Sequence, residues 1–116
     1  MKIVDVLNEL QHSANETFAV FYHTSKGIHS QILAEGCDER VRFSVSKVIE
    51  TAQRRGATMV SIAHNHPSGP VRPSVKDLSA TFTLQDKLKA NGVELHDHVI
   101  VGKEGSPFSM LANGVI

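Results

Sequence analysis

The sequence has a single cysteine, Cys37, in 116 residues. One thiol cannot form an internal disulfide, and it excludes a zinc cage built from several cysteines. Any metal centre must therefore draw on histidine, aspartate or glutamate. Beside Gly36, Cys37 itself reads as a loop residue without a chemical role. No apolar run approaches the ~20 residues needed to cross a bilayer. The opening stretch from Met1 to Leu10 carries Asp5 and Glu9 inside its apolar positions and does not read as a secretory signal. The expected location is the cytoplasm.

An excess of charge of either sign is missing too. Lysine plus arginine and aspartate plus glutamate both number 12, for a formal net charge of zero. Phosphate neutralisation supplies most of the affinity of a duplex-DNA binder, so such a protein usually shows a basic footprint. Arg40, Arg42, Lys47, Arg54 and Arg55 do cluster, but Asp38, Glu39 and Glu50 are interleaved with them. That run reads as a solvated face, and strong nucleic-acid binding is not expected. Repeats, low-complexity tracts and linkers are also missing. With 41% hydrophobic and 21% charged residues, the chain has the balance of one globular domain spanning 1–116.

Hydrophobic spacing predicts the elements. Ile3, Val6, Leu7 and Leu10 fall at helical spacing and predict a short N-terminal helix within 1–14. Residues 17–23 read as a strand, Lys26-Gly27 as a turn and 28–34 as the hairpin partner. Val45, Val48, Ile49 and Ala52 predict a second helix over 43–55, with Gly56 past its end. A strand over 57–63 runs into His64. Pro67, Gly69, Pro70 and Pro73 make 64–73 a loop. A third helix is expected to start after Ser74 and run to about Ala90, with Ser74 and Asp77 in capping-box positions. Strands over 93–101 and 107–111 complete an α/β sandwich with a mixed sheet.

The chemistry concentrates in His64-Asn65-His66-Pro67, Ser74 and Asp77. Histidines at i and i+2 on extended backbone point the same way, so their ring nitrogens can converge on one ion. Asp77, in the first turn of the next helix, can supply a third ligand. Two imidazoles and one carboxylate leave the fourth tetrahedral position for water, as a catalytic Zn²⁺ site requires. Taken singly, each residue has a plainer role: hydrogen-bonded histidines, a helix N-cap at Ser74, a dipole-favoured acid at Asp77.

The spacing His64-x-His66-Pro67, then Ser74-x-x-Asp77, resembles the JAMM signature of the JAB/MPN metalloproteases. His64-Asn65-His66-Pro67-Ser68-Gly69 with Pro73-Ser74 resembles the RadC branch of that family more closely. Glu16-x-Phe18, Arg42 and the stretch Asp97 to Gly102 extend the likeness, which covers roughly 15–111. The resemblance implies an MPN/JAB sandwich, related to the cytidine-deaminase fold, with zinc on His64, His66 and Asp77. It also implies that Glu16 takes the water's proton and passes it to the leaving amine, while Ser74 donates to the oxyanion. Sequence alone shows only a carboxylate before a strand, and Glu35 competes with Glu16 for the role of base.

The resemblance implies that full RadC proteins carry an N-terminal helix-hairpin-helix region, a nucleic-acid-binding element, ahead of this domain. Here only 1–14 precedes it, so a DNA role loses its anchor. The expected function is that of a zinc metallopeptidase acting on a peptide or isopeptide. A metal-dependent nuclease or DNA-repair accessory and a non-catalytic MPN scaffold are the rivals, and self-association is compatible with each. His96 departs from the family pattern. With His98 it is expected on one strand face, opposite Asp97, where a second metal site is conceivable and a supporting role for Asp97 or His98 is favoured. His12, His23 and His29 read as surface residues.

Overall fold

A computed structural model describes residues 3–36, 44–67, 69–103 and 105–116. The elements are α1 (Ile3–His12), β1 (Glu16–Thr24), β2 (Gly27–Gly36), α2 (Val45–Arg55), β3 (Met59–His66), α3 (Val75–Ala90), β4 (Glu94–Gly102) and β5 (Phe108–Ser109). Cys37, Arg42 and the rest of the mixed-charge run 38–42 lie outside the described residues.

The five strands form one mixed sheet in the order β2-β1-β3-β4-β5. β1 is antiparallel to both β2 and β3, while β3 and β4 are parallel. A parallel pair needs a crossover, and α3 provides it. Alternation along the strands gives each face its own core. Val20, Tyr22, Val60, Ile62 and Leu95 pack with Val48 and Ala52 of α2 and Leu84 and Leu88 of α3. Ala19, Phe21, Ala63 and Val101 pack on the opposite face with Val6 and Leu10 of α1. The molecule is thus α1, sheet, and α2 with α3, in three layers.

Caps set the helix bounds. The Ser44 hydroxyl accepts from the Lys47 N–H at the start of α2, and Gly56 closes it in the left-handed region at φ 71°. A side chain at Gly56 would be strained there. Ser74 and Asp77 form the expected reciprocal capping box at α3.

Three features differ from the sequence expectation by more than a shift of one or two residues. β3 does not stop at Ala63: it runs through His66, because His64, Asn65 and His66 pair with Ile100, Val101 and Gly102 of β4. The last strand shortens to two residues. There Asp97 accepts from the Ser109 hydroxyl at 2.6 Å and the Leu111 N–H at 2.9 Å, and the chain turns away. The third difference is a bulge in β4. Val60 pairs with Leu95 but Ser61 pairs with Asp97, so His96 is the extra residue. His96 and His98 therefore do not share a face. His98 is buried against α3, while His96 is exposed and lies near the His23 ring.

Candidate metal centre

The site lies where β1 begins and where β3 gives way, through the proline loop, to α3. His64 and His66 stand at alternate positions near the C-terminal end of β3, on the face covered by α3. Asn65, between them, must point to the other face. Asp77 sits in the first turn of α3. Glu16 opens β1 two residues before Phe18, which pairs with His64.

One ligand atom from each of Glu16, His64, His66 and Asp77 lies within 4.8 Å of every other. Among the described residues this is the one such group of three or more. His64 Nε2 is 3.0 Å from His66 Nε2 and 3.4 Å from Asp77 Oδ1. His66 Nε2 is 3.1 Å from Asp77 Oδ2, and Glu16 Oε1 is 3.9 Å from His64 Nε2. Bonds of about 2.0–2.1 Å to a tetrahedral ion place its ligand atoms about 3.3 Å apart. The His–His–Asp distances match that spacing, and Glu16 stands just outside it.

Hydrogen bonds decide which ring nitrogens carry protons. The Thr81 hydroxyl is 2.6 Å from the Asp77 backbone carbonyl, which can only accept, so its single proton is spent there. His98 Nδ1, 2.6 Å from the same hydroxyl, must then donate to it. His98 Nε2 is left as an acceptor, 2.7 Å from His64 Nδ1, which must donate in turn. The proton of neutral His64 is thereby on Nδ1, and its Nε2 presents a lone pair to the cluster. His66 reaches the same state more simply, because its Nδ1 donates to the Pro70 carbonyl at 2.8 Å. Two lone pairs 3.0 Å apart, beside a carboxylate, repel unless a proton or a metal ion lies among them. The donor set therefore fits a divalent metal bound through His64 Nε2, His66 Nε2 and Asp77.

The ionisation equilibria make a proton the competitor of a metal at this position. Burial holds His98 down to about 3, and the neighbouring His64 adds to the effect, so His98 is a neutral relay. The hydrogen bond to Asp77 raises His66 against the opposing effect of burial. Burial alone would raise the Asp77 carboxyl, but its hydrogen bonds with the His64 and His66 rings and the Ser74 N–H outweigh it, leaving Asp77 well below the usual carboxylate range.

Nearly the whole chain, from residue 1 to residue 115, matches a known family: the RadC-like JAB domain. The chain belongs to that family. It is 35% identical to a UPF0758 protein of Pseudomonas entomophila over 107 residues, covering 90% of this chain and 47% of that protein. It is 34% identical to one from Marinomonas sp. over 111 residues, covering 94% and 49%. A UPF0758 protein of Syntrophomonas wolfei is 35% identical over 112 residues, covering 95% and 47%. The chain thus spans about half the length of these curated relatives.

In this JAB domain several supporting side chains escaped sequence reasoning. Thr81 starts the proton chain just described; its only signal is its place one helical turn beyond Asp77. Asn65 is buried and ties down the segment ahead of β1. Its Oδ1 accepts from the Thr17 N–H at 2.6 Å, and its Nδ2 donates to the carbonyls of Asn15 at 2.9 Å and Ser13 at 3.3 Å. Asn65 thereby holds both neighbours of Glu16 in place. Phe18 stacks on the His64 ring at 4.6 Å between centroids, which restrains the imidazole plane. His98 takes the supporting role expected of it, and Asp97 organises the turn after β5. His12 is exposed, whereas His23 is half-buried and hydrogen-bonded to the Ser61 hydroxyl at 3.0 Å.

A cleft of about 610 Å³ opens over the cluster, lined among others by Glu16, His66, Ser74 and Asp77. The Ser74 hydroxyl oxygen accepts from the Asp77 N–H at 3.0 Å, which leaves its own proton available to donate into the cleft. Glu35 stands opposite Thr17 in the β1–β2 ladder.

Proposed function

We propose that this RadC-like JAB domain is a zinc-dependent hydrolase that cleaves a peptide or isopeptide bond. The observation that carries the reading is the convergence of the His64 and His66 Nε2 atoms and the Asp77 carboxylate, with the Glu16 carboxylate beside them, 3.9 Å from His64 Nε2. A second carboxylate held near a three-ligand centre is what metal-assisted hydrolysis needs and simple metal storage does not. A zinc ion on His64, His66 and Asp77 would supply Lewis acidity and a water acidified toward neutrality.

The chain's own groups account for the rest. Glu16 accepts a proton from the attacking water and returns it to the departing nitrogen, so that the amine leaves neutral. Such a positioned base contributes about 10²–10⁴-fold. The Ser74 hydroxyl donates to the carbonyl oxygen as negative charge develops on it. His98 and Thr81 keep the His64 proton on Nδ1, and Asn65 keeps Glu16 at the mouth of the cleft.

The test is a pair of variants on zinc-loaded protein, assayed against ubiquitin-like conjugates, peptides and short nucleic acids. Glu16→Gln keeps the metal and loses turnover by about 10²-fold or more, because glutamine cannot take a full proton. His64→Ala loses both metal and turnover. Near wild-type turnover in Glu16→Gln would make Glu16 a bystander, and cleavage of the nucleic acids alone would overturn the peptide assignment.

A further inference from the structure

The cleft over the metal cluster has a second set of charges that the proposed hydrolysis does not use. Arg72, from the proline loop, and Lys76, from the first turn of α3, both line it. Both are exposed, and neither has an acidic partner among the described residues. Among the described residues the acids lining the cleft are Glu16 and Asp77, and both belong to the cluster with His64 and His66. A bound dication balances those two carboxylates. Among the described residues, Arg72 and Lys76 then leave the cleft with two positive charges in excess, in a chain whose total formal charge is zero. Pro67, Pro70 and the highly exposed Val75 supply apolar surface beside them.

We infer that Arg72 and Lys76 select substrates carrying a carboxylate close to the scissile bond, so that the substrate class is an acidic peptide. The inference rests on the proposed hydrolase reading of the same cleft. Two cations flanked by proline and valine suit one carboxylate within a short peptide. Duplex nucleic acid draws its affinity from many phosphate contacts, and two cations on a neutral chain do not supply them. The carboxylate can come from an aspartate or glutamate side chain or from a chain terminus, and the two sources are separable by experiment.

The experiment uses the full chain loaded with Co²⁺, whose visible spectrum reports ligands entering the metal shell. N-acetyl-glutamyl-glycine hydroxamate is titrated against its glutaminyl counterpart, and succinic monohydroxamate against its amide. The charged member of at least one pair is expected to bind about tenfold tighter at low ionic strength, with the gap narrowing as salt screens exposed charges. The first pair reports a side-chain carboxylate and the second a terminal one. In Arg72→Gln/Lys76→Gln the preference collapses to near unity, and in Arg72→Glu/Lys76→Glu it inverts. Equal affinities in the wild type, or a preference that survives the double glutamine variant, would overturn the assignment. So would displacement of the hydroxamates by a short oligothymidylate but not by an acidic peptide. A cobalt spectrum that no hydroxamate changes would instead overturn the hydrolase reading itself.

Discussion

Thr81→Val is the sharpest test of the proton chain behind the metal centre. Valine keeps the shape of threonine and removes one hydroxyl from a side chain that is fully buried. That hydroxyl accepts from His98 Nδ1 and donates to the Asp77 carbonyl, both at 2.6 Å. Without it, the His98 Nδ1–H has no acceptor in a dry interior, at a cost of about 1–3 kcal/mol. The cheapest relief is to move the His98 proton to Nε2. It then faces His64 Nδ1, which must accept, and the His64 proton moves to Nε2 in the metal position. Zinc binding would have to reverse both shifts, so affinity is expected to fall about 10–100-fold, the range seen when outer partners of metal ligands are removed. Thr81→Ser restores the hydroxyl and should recover most of the loss. A competitive zinc titration with a chromophoric chelator measures the affinity, and urea unfolding of the metal-free protein measures stability separately. Thr81→Val protein that loses stability yet binds zinc within about twofold of wild type would show the hydroxyl to be structural only, and the tautomer argument would fail.

Zinc-reconstituted protein should hold about one ion per chain by elemental analysis, and His66→Ala should hold almost none, since three protein ligands define the site. Zinc affinity should fall with falling pH: the raised His66 must shed a proton to bind, so the loss begins above its ordinary 6.5 and approaches about tenfold per pH unit. Calorimetric titration from pH 8 to 5 checks this, and a flat profile would contradict imidazole ligation. His98, depressed to about 3, should stay neutral with its proton on Nδ1 in nitrogen-15 spectra down to pH 5. Its contribution to stability is whole above pH 6.5 and drains away as the pH falls from there toward 3, because the unfolded chain takes the proton first. Asn65→Ala should keep zinc but lower turnover by freeing the backbone around Glu16, and its buried partners should cost about 1–3 kcal/mol in chemical denaturation. Fluorescence anisotropy in ~0.15 M salt should find no submicromolar DNA affinity, in keeping with the zero net charge.

The sequence by itself determined the candidate ligand residue types, their order and the local geometry that presents them. A lone cysteine left only imidazoles and carboxylates for a metal, and an i, i+2 pair on extended backbone must share a face. A serine three residues before Asp77 had to cap the helix that carries the acid. These are local properties, set by backbone periodicity and by groups within one turn of each other, and the same locality made the helices and the hairpin readable. What crossed between elements was decided by the tertiary structure alone. β3 reaches His66 because β4 lies alongside to pair with it. The bulge at His96 separates two histidines that simple alternation would place together, because a single extra residue inverts every later side chain. Asn65 meets Thr17, and Thr81 meets His98, across 48 and 17 residues of chain. No periodicity encodes those meetings. The protonation state that leaves His64 Nε2 open to a metal depends on them, because a proton goes to whichever nitrogen has an acceptor within reach, and only the folded chain supplies that acceptor.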